Sequence, residues 1–196
     1  MFTLTDYLED EIEIGGEIYR LNLFFDVVLR FFDLMDDDAF LNHEKISLAF
    51  DMFVETERDF DFEIKFNAVK TIVKTFIKQE DEEKQTGGND KQLYCLKQDA
   101  QYIYASFLQE YGIDLIDQQG ALRWEKFKAL LSGLRDNTRF KEIVGIRAAE
   151  LPKGKGAEEE RKRLRKLKQI YALKKDHKTK EQELDSMFNM LAGGGK

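Results

Sequence analysis

Along most of this 196-residue chain, apolar residues recur at intervals of three and four, the spacing of one helical face. Strict alternation is confined to Glu11–Ile14 and Glu17–Leu21, on either side of Gly15-Gly16. Two glycines tolerate the positive φ angles of a tight primed turn, so this stretch predicts a β-hairpin. Two strands are marginal by themselves, and the hairpin must dock on a helix or join another sheet. From Leu23 to Met35 apolar residues fall on nearly every face, which predicts a central helix ended by Asp36-Asp37-Asp38. Asn42 is placed to cap the next helix, with Ile46, Ala49, Phe50 and Phe53 on one side. Phe62, Phe66, Val69, Val73 and Phe76 then mark a third helix from about Asp61 to Gln79.

A second series follows a polar, glycine-broken stretch. Ala100, Ile103, Tyr104, Phe107, Leu108 and Tyr111 share a face, and Gly112 supplies a left-handed cap. Gly120 marks a turn before a face of Trp124, Phe127, Leu131 and Leu134, and Phe140, Ile143, Val144 and Ile146 form another. These aromatic residues read as core packing, with Trp124 at an interface as the alternative. After the break Pro152–Gly156, residues 157–191 read as helix, opening with Glu158-Glu159-Glu160 at the end where carboxylates favour the dipole. Leu164, Leu167 and Tyr171 lie on one side of it, and Leu184, Phe188 and Leu191 on roughly the opposite side. The residues from Lys174 to Glu183 between them are wholly polar, so the helix must break near His177 or bridge two neighbours.

The pattern therefore predicts a mainly α fold: a helical domain with a small N-terminal β-hairpin and a C-terminal helical extension. The expected organisation is a helical core over residues 1–151 and a basic helical tail over 152–196. Within the core, 1–79 form an N-terminal module, 80–91 a linker and 92–151 a second helical module.

Composition refines this picture. One proline and four serines are few loop formers for a chain with 42% apolar residues and sixteen phenylalanines. The net charge of −7 hides an asymmetry: residues 1–90 hold 23 acidic and 9 basic side chains, residues 91–196 hold 15 and 22. Opposite-signed halves suit head-to-tail self-association, or equally two solvated surfaces that never meet. A single cysteine, Cys95, excludes an internal disulfide and suits a reducing cytoplasm. No apolar run approaches the roughly 18–20 residues of a membrane span, and the acidic N-terminus is unlike a signal peptide. A soluble intracellular protein is expected.

Candidate chemistry is sparse. His43 and His177 have no companion at ligand spacing, and Cys95 has no Cys or His near it. No nucleophile elbow or oxyanion turn is present. A calcium loop beginning at Asp33 or Asp36 lacks glycine at its sixth position. The terminal GGGK has neither the Ser/Thr nor the following helix of a phosphate loop. No enzyme, metal or cofactor is expected. The basic run Arg161–Lys168 carries three open readings: a solvated helix face, contact with an acidic protein surface, or nucleic acid, the last without aromatics for stacking. Arg161, Arg163, Leu164, Leu167 and Tyr171, with Leu184, Phe188 and Leu191, are the candidates for partner contact.

The order YIYASFLQEYGIDLI, then ALRWEKFKALLSGL, then TRFKEIVGIR resembles a family of tail assembly chaperones of long-tailed phages and prophages of Gram-positive hosts. The likeness covers roughly residues 1–150 and touches the Leu184–Leu191 end. It implies a non-enzymatic protein of the host cytoplasm, absent from the mature virion. Such a protein binds the tape-measure protein, keeps it soluble and helps recruit tail-tube subunits. It brings no site residues with it. The alternatives are a structural tail component retained in the virion and a nucleic-acid-binding regulator acting through the basic tail helix.

Overall fold

Leu23, Val28, Phe31, Ile46, Phe50 and Phe53 are almost wholly removed from solvent and form the centre of the first half of the chain. The computed structural model describes residues 4–5, 7–77, 92–154, 156–174, 184 and 187–191. The expected linker over 80–91 lies outside the described residues but for its neighbours from 92 onward. The fold is mainly α with one antiparallel hairpin, as the apolar periodicity predicts.

Strands β1 (Glu11–Ile14) and β2 (Glu17–Arg20) pair in the register Ile14 opposite Glu17. Gly15 and Gly16 turn the chain with φ of 62° and 84°, a conformation that other residues adopt only at a cost. Leu21 bridges to Val54, so the hairpin docks on the end of the second helix. Helices α1 (Phe25–Asp36), α2 (Asn42–Phe53) and α3 (Phe62–Ile72) follow, α2 packing on both α1 and α3.

Three boundaries differ from expectation. Helix α1 begins at Phe25 because Phe24 bridges to Arg123 instead of joining the helix. Asn42 does not cap α2; Leu41 holds the cap position, and its N–H donates to the Glu44 carboxylate at 2.8 Å. The third helix ends its α-form at Ile72 and widens into a π-helical turn, Val73–Ile77.

The chain divides into two compact units. The first holds the described residues up to 77, residues 119–128, and the helical residues 184 and 187–191. The second holds 92–118 and 129–174, with α4 (Ala100–Tyr111), α6 (Arg139–Ala148) and α7 (Glu158–Ile170). Helix α5 (Trp124–Ser132) contributes residues to both.

Backbone pairing ties 119–128 to the first unit. Phe25 N–H donates to Leu122 O at 2.9 Å, and Trp124 N–H to Leu23 O at 2.9 Å. The buried Asp26 carboxylate accepts from Gly120 N–H at 3.0 Å and from Arg30 at 2.7 Å. Trp124 and Phe127, read from the sequence as one face with Leu131 and Leu134, thus serve the first unit. Trp124 is buried between Phe32, at 6.0 Å between ring centroids, and Phe127, at 5.6 Å. Its indole N–H reaches Ile77 O, the end of the π turn, at 3.4 Å, and Lys128 Nζ donates to the same carbonyl at 3.2 Å.

In the second unit, Gly112 caps α4 with φ of 65°, its N–H on Leu108 O and that of Ile113 on Phe107 O. The buried Ser106 donates to Tyr102 O at 2.7 Å and accepts from Phe140 N–H at 3.0 Å, locking α4 to the start of α6.

Candidate partner-binding site

The predicted contact residues fall into two groups, one in each unit. Helix α7 opens with its three glutamates and packs on α6. Leu164 and Leu167 are half-buried, as is Arg161, whereas Arg163 is exposed with Lys162, Arg165 and Lys166. The last four carry no ion pair among the described residues, leaving a cationic outer face on an otherwise anchored helix.

Tyr171 is committed within its own unit. Its hydroxyl accepts from Arg139 at 2.6 Å, the Arg139 guanidinium lies over its ring at 5.3 Å, and Tyr102 meets it edge-on. Its carbonyl accepts from Arg147 Nε at 2.6 Å. These contacts stop the helix: α7 ends at Ile170, and residues 172–174 are not helical. The expectation of one helix over 157–191 is thereby corrected. The expected break near His177 falls outside the described residues.

Arg147 organises this end of the second unit, and nothing in the spacing of the sequence pointed to it. Its guanidinium grips Asp99 in a two-pronged pair at 2.7 and 2.8 Å, with Arg147 9% and Asp99 1% exposed. It also donates to Leu93 O at 3.0 Å, while Asp99 accepts from Cys95 N–H at 3.0 Å. Lys168 of α7 donates to the Arg147 carbonyl at 2.7 Å. The approach to α4, the end of α6 and the end of α7 therefore meet at one buried ion pair. Farther along α4, Tyr104 donates to Asp114 Oδ2 at 2.9 Å, which lowers the Asp114 carboxyl and raises the Tyr104 phenol.

Leu184, Phe188 and Leu191 belong to the first unit. Leu184 and Phe188 are 2% and 5% exposed, and Leu191 is half-buried. The Phe188 ring meets Phe66 of α3 edge-on at 5.9 Å, and Phe66 stacks on Phe62 at 6.2 Å. Met190 Sδ accepts a weak hydrogen bond from Asn42 Nδ2 at 3.7 Å at the start of α2. Beside this contact, apolar surface stays open: Phe62 is 42%, Leu41 64% and Met190 65% exposed. Phe62 sits in the predicted α3 stripe, but as the first helical residue it lies beyond the cover that the rest of the stripe receives.

Among the described residues no group of three His, Cys, Asp or Glu side chains is placed to hold a metal ion, and no helix is long and apolar enough to cross a membrane. His43 is exposed on α2, and Cys95 is half-buried before α4. What the geometry offers is apolar and cationic contact surface.

No curated protein and no solved structure matches the chain. Residues 4–173, which take in every element from β1 to α7, match the family described as Bacteriophage Gp15 protein. The chain is a member of the bacteriophage Gp15 protein family.

Proposed function

We propose that this phage protein is a tail assembly chaperone: it binds the tape-measure protein in the host cytoplasm, keeps it soluble and helps recruit tail-tube subunits, without catalysis and without entering the mature virion. Membership of a phage protein family is the observation that carries the reading. The resemblance of Tyr102–Arg147 to tail assembly chaperones of phages of Gram-positive hosts supports it. So does the surface, which offers exposed apolar residues at the starts of α2 and α3 and, on α7, cations without an ion pair among the described residues. Amphipathic helices are bound through such apolar faces, with charge setting orientation and encounter. Copies aligned along an extended client would meet by heterologous contacts, and the opposite charges of the two halves of the sequence suit that arrangement.

Co-expression tests the reading. The tape-measure protein of the same phage, insoluble when expressed by itself, is expected in the soluble fraction together with this protein. An unchanged insoluble fraction would sink the proposal. The structural-component alternative predicts this chain in purified particles by mass spectrometry. The nucleic-acid alternative rests on Lys162, Arg163, Arg165 and Lys166 and predicts a mobility shift that disappears at moderate salt.

A further inference from the structure

Leu184 and the helical residues 187–191 of the chain itself occupy an apolar seat across α2 and α3. Leu184, Phe188 and Leu191 follow one another at i, i+4 and i+7, the repeat of a helix laid into a groove. Phe188 fills the seat against Phe66, and Met190 meets Asn42. The described residues of the occupant are Leu184 and 187–191, all helical, and the ten residues from Lys174 to Glu183 are all polar in sequence. The ten residues directly before Leu184 thus bring no apolar side chain to extend its hold. Beside the described occupant, Phe62, stacked on Phe66, and Leu41, next to Asn42, are apolar side chains open to solvent. Its rim is acidic, with Glu44, Asp61 and Glu63 exposed around the starts of α2 and α3. The seat also lies inside the span that matches the family, whereas residues 184–191 lie beyond it.

We infer that this seat is a helix-binding site that the C-terminal turn holds closed in cis. Its partner in trans is an amphipathic helix of another protein, with large apolar side chains at i, i+4 and i+7 and basic residues on its flanks. A longer helix of that kind covers Phe62 and Leu41 as well as the place of Phe188, and its cations meet the acidic rim. A tethered segment is kept in place by its effective concentration, so a partner with more anchors displaces it only when it is correctly patterned. The tail thus acts as a selectivity filter against weakly apolar segments. The inference rests on the chaperone reading for the identity of the client, but the site itself is testable without it.

The probe is a fluorescein-labelled peptide of residues 181–196, with a second version in which Glu181 and Glu183 are lysine. Anisotropy titrations use the full chain, wild type and Leu184→Ala/Phe188→Ala. The double variant is expected to bind the peptide at least tenfold more tightly than wild type, and the lysine version more tightly again. A peptide lacking its leucine and phenylalanine anchors is expected not to bind. Phe62→Ser, at an exposed position that leaves the core intact, is expected to weaken binding in the double-variant background at least threefold. Circular dichroism of each variant confirms that the fold is retained. Equal affinity of wild type and double variant, or binding of the anchorless peptide, would overturn the inference. A wild-type dimer in sedimentation equilibrium that the peptide dissociates would also overturn it, making a second copy the occupant. Tight peptide binding without rescue of tape-measure solubility would leave the site standing and remove the chaperone reading. Rescue with unchanged peptide affinity would do the reverse.

Discussion

Replacing Arg147 with methionine removes the cationic half of the most buried ion pair described in this protein. The guanidinium makes four hydrogen bonds, two to Asp99 and one each to the carbonyls of Leu93 and Tyr171. After the change, the Asp99 carboxylate stays buried with Cys95 N–H as a remaining donor, and two carbonyls lose a partner. Removing one member of a buried pair costs about 3–5 kcal/mol, because the other charge is left desolvated without compensation. With a urea dependence of about 2 kcal/mol per molar, the unfolding midpoint drops by about 1.5–2.5 M. Equilibrium unfolding followed by circular dichroism reads this directly. The paired replacement Asp99→Leu/Arg147→Met is expected to recover much of the loss, since neither charge is then buried and the two sites are directly coupled. A drop under about 0.5 M for Arg147→Met, or a double variant whose loss equals both single losses added together, would show that the two charges are not a coupled buried pair.

Other outcomes follow from single features. Trp124→Ala empties the space between Phe32 and Phe127 and is expected to cost about 3–5 kcal/mol in the same assay; near-wild-type stability would place the ring outside the core. Gly112→Ala meets no atom within 4 Å of an added Cβ, so its expected loss of about 1–2 kcal/mol is purely that of a left-handed backbone, and a neutral result would contradict the cap. Tyr104→Phe removes the main cause of the lowered Asp114 carboxyl, and an NMR titration should show that group moving up towards its ordinary value. Because the folded carboxyl lies below its unfolded value of about 3.9, this contact stabilises above that pH and is lost as pH falls through the folded value; a titration unmoved in Tyr104→Phe would exclude the hydrogen bond.

Local signals were legible in the sequence because they act over a few residues. Gly15-Gly16 and Gly112 adopt the positive φ angles that their flanking patterns demanded. The apolar stripes of α2, α3, α4 and α6 followed helical spacing onto buried faces, although Phe62 and Leu108 are 42% and 45% exposed. What escaped was long-range and backbone-mediated. The pairing of 122–124 with 23–25 takes Trp124 into the first unit, and no apolar repeat encodes a main-chain hydrogen bond between distant segments. Asp99 and Arg147 stand 48 residues apart, and each looks like an ordinary helix-end charge until the fold joins them. The two tail stripes were visible as opposed faces. Their separate commitments, Tyr171 to Arg139 and Arg147, Phe188 to Phe66, depend on side chains that periodicity does not rank.

A chaperone of the proposed kind protects its aggregation-prone helical client without other factors. Purified tape-measure protein diluted from denaturant in the presence of the purified full chain tests it by light scattering. Scattering is expected to fall progressively as this chain is added, towards full suppression at stoichiometric amounts, with both proteins recovered in one soluble complex. Scattering indistinguishable from that with an equal mass of serum albumin would contradict it.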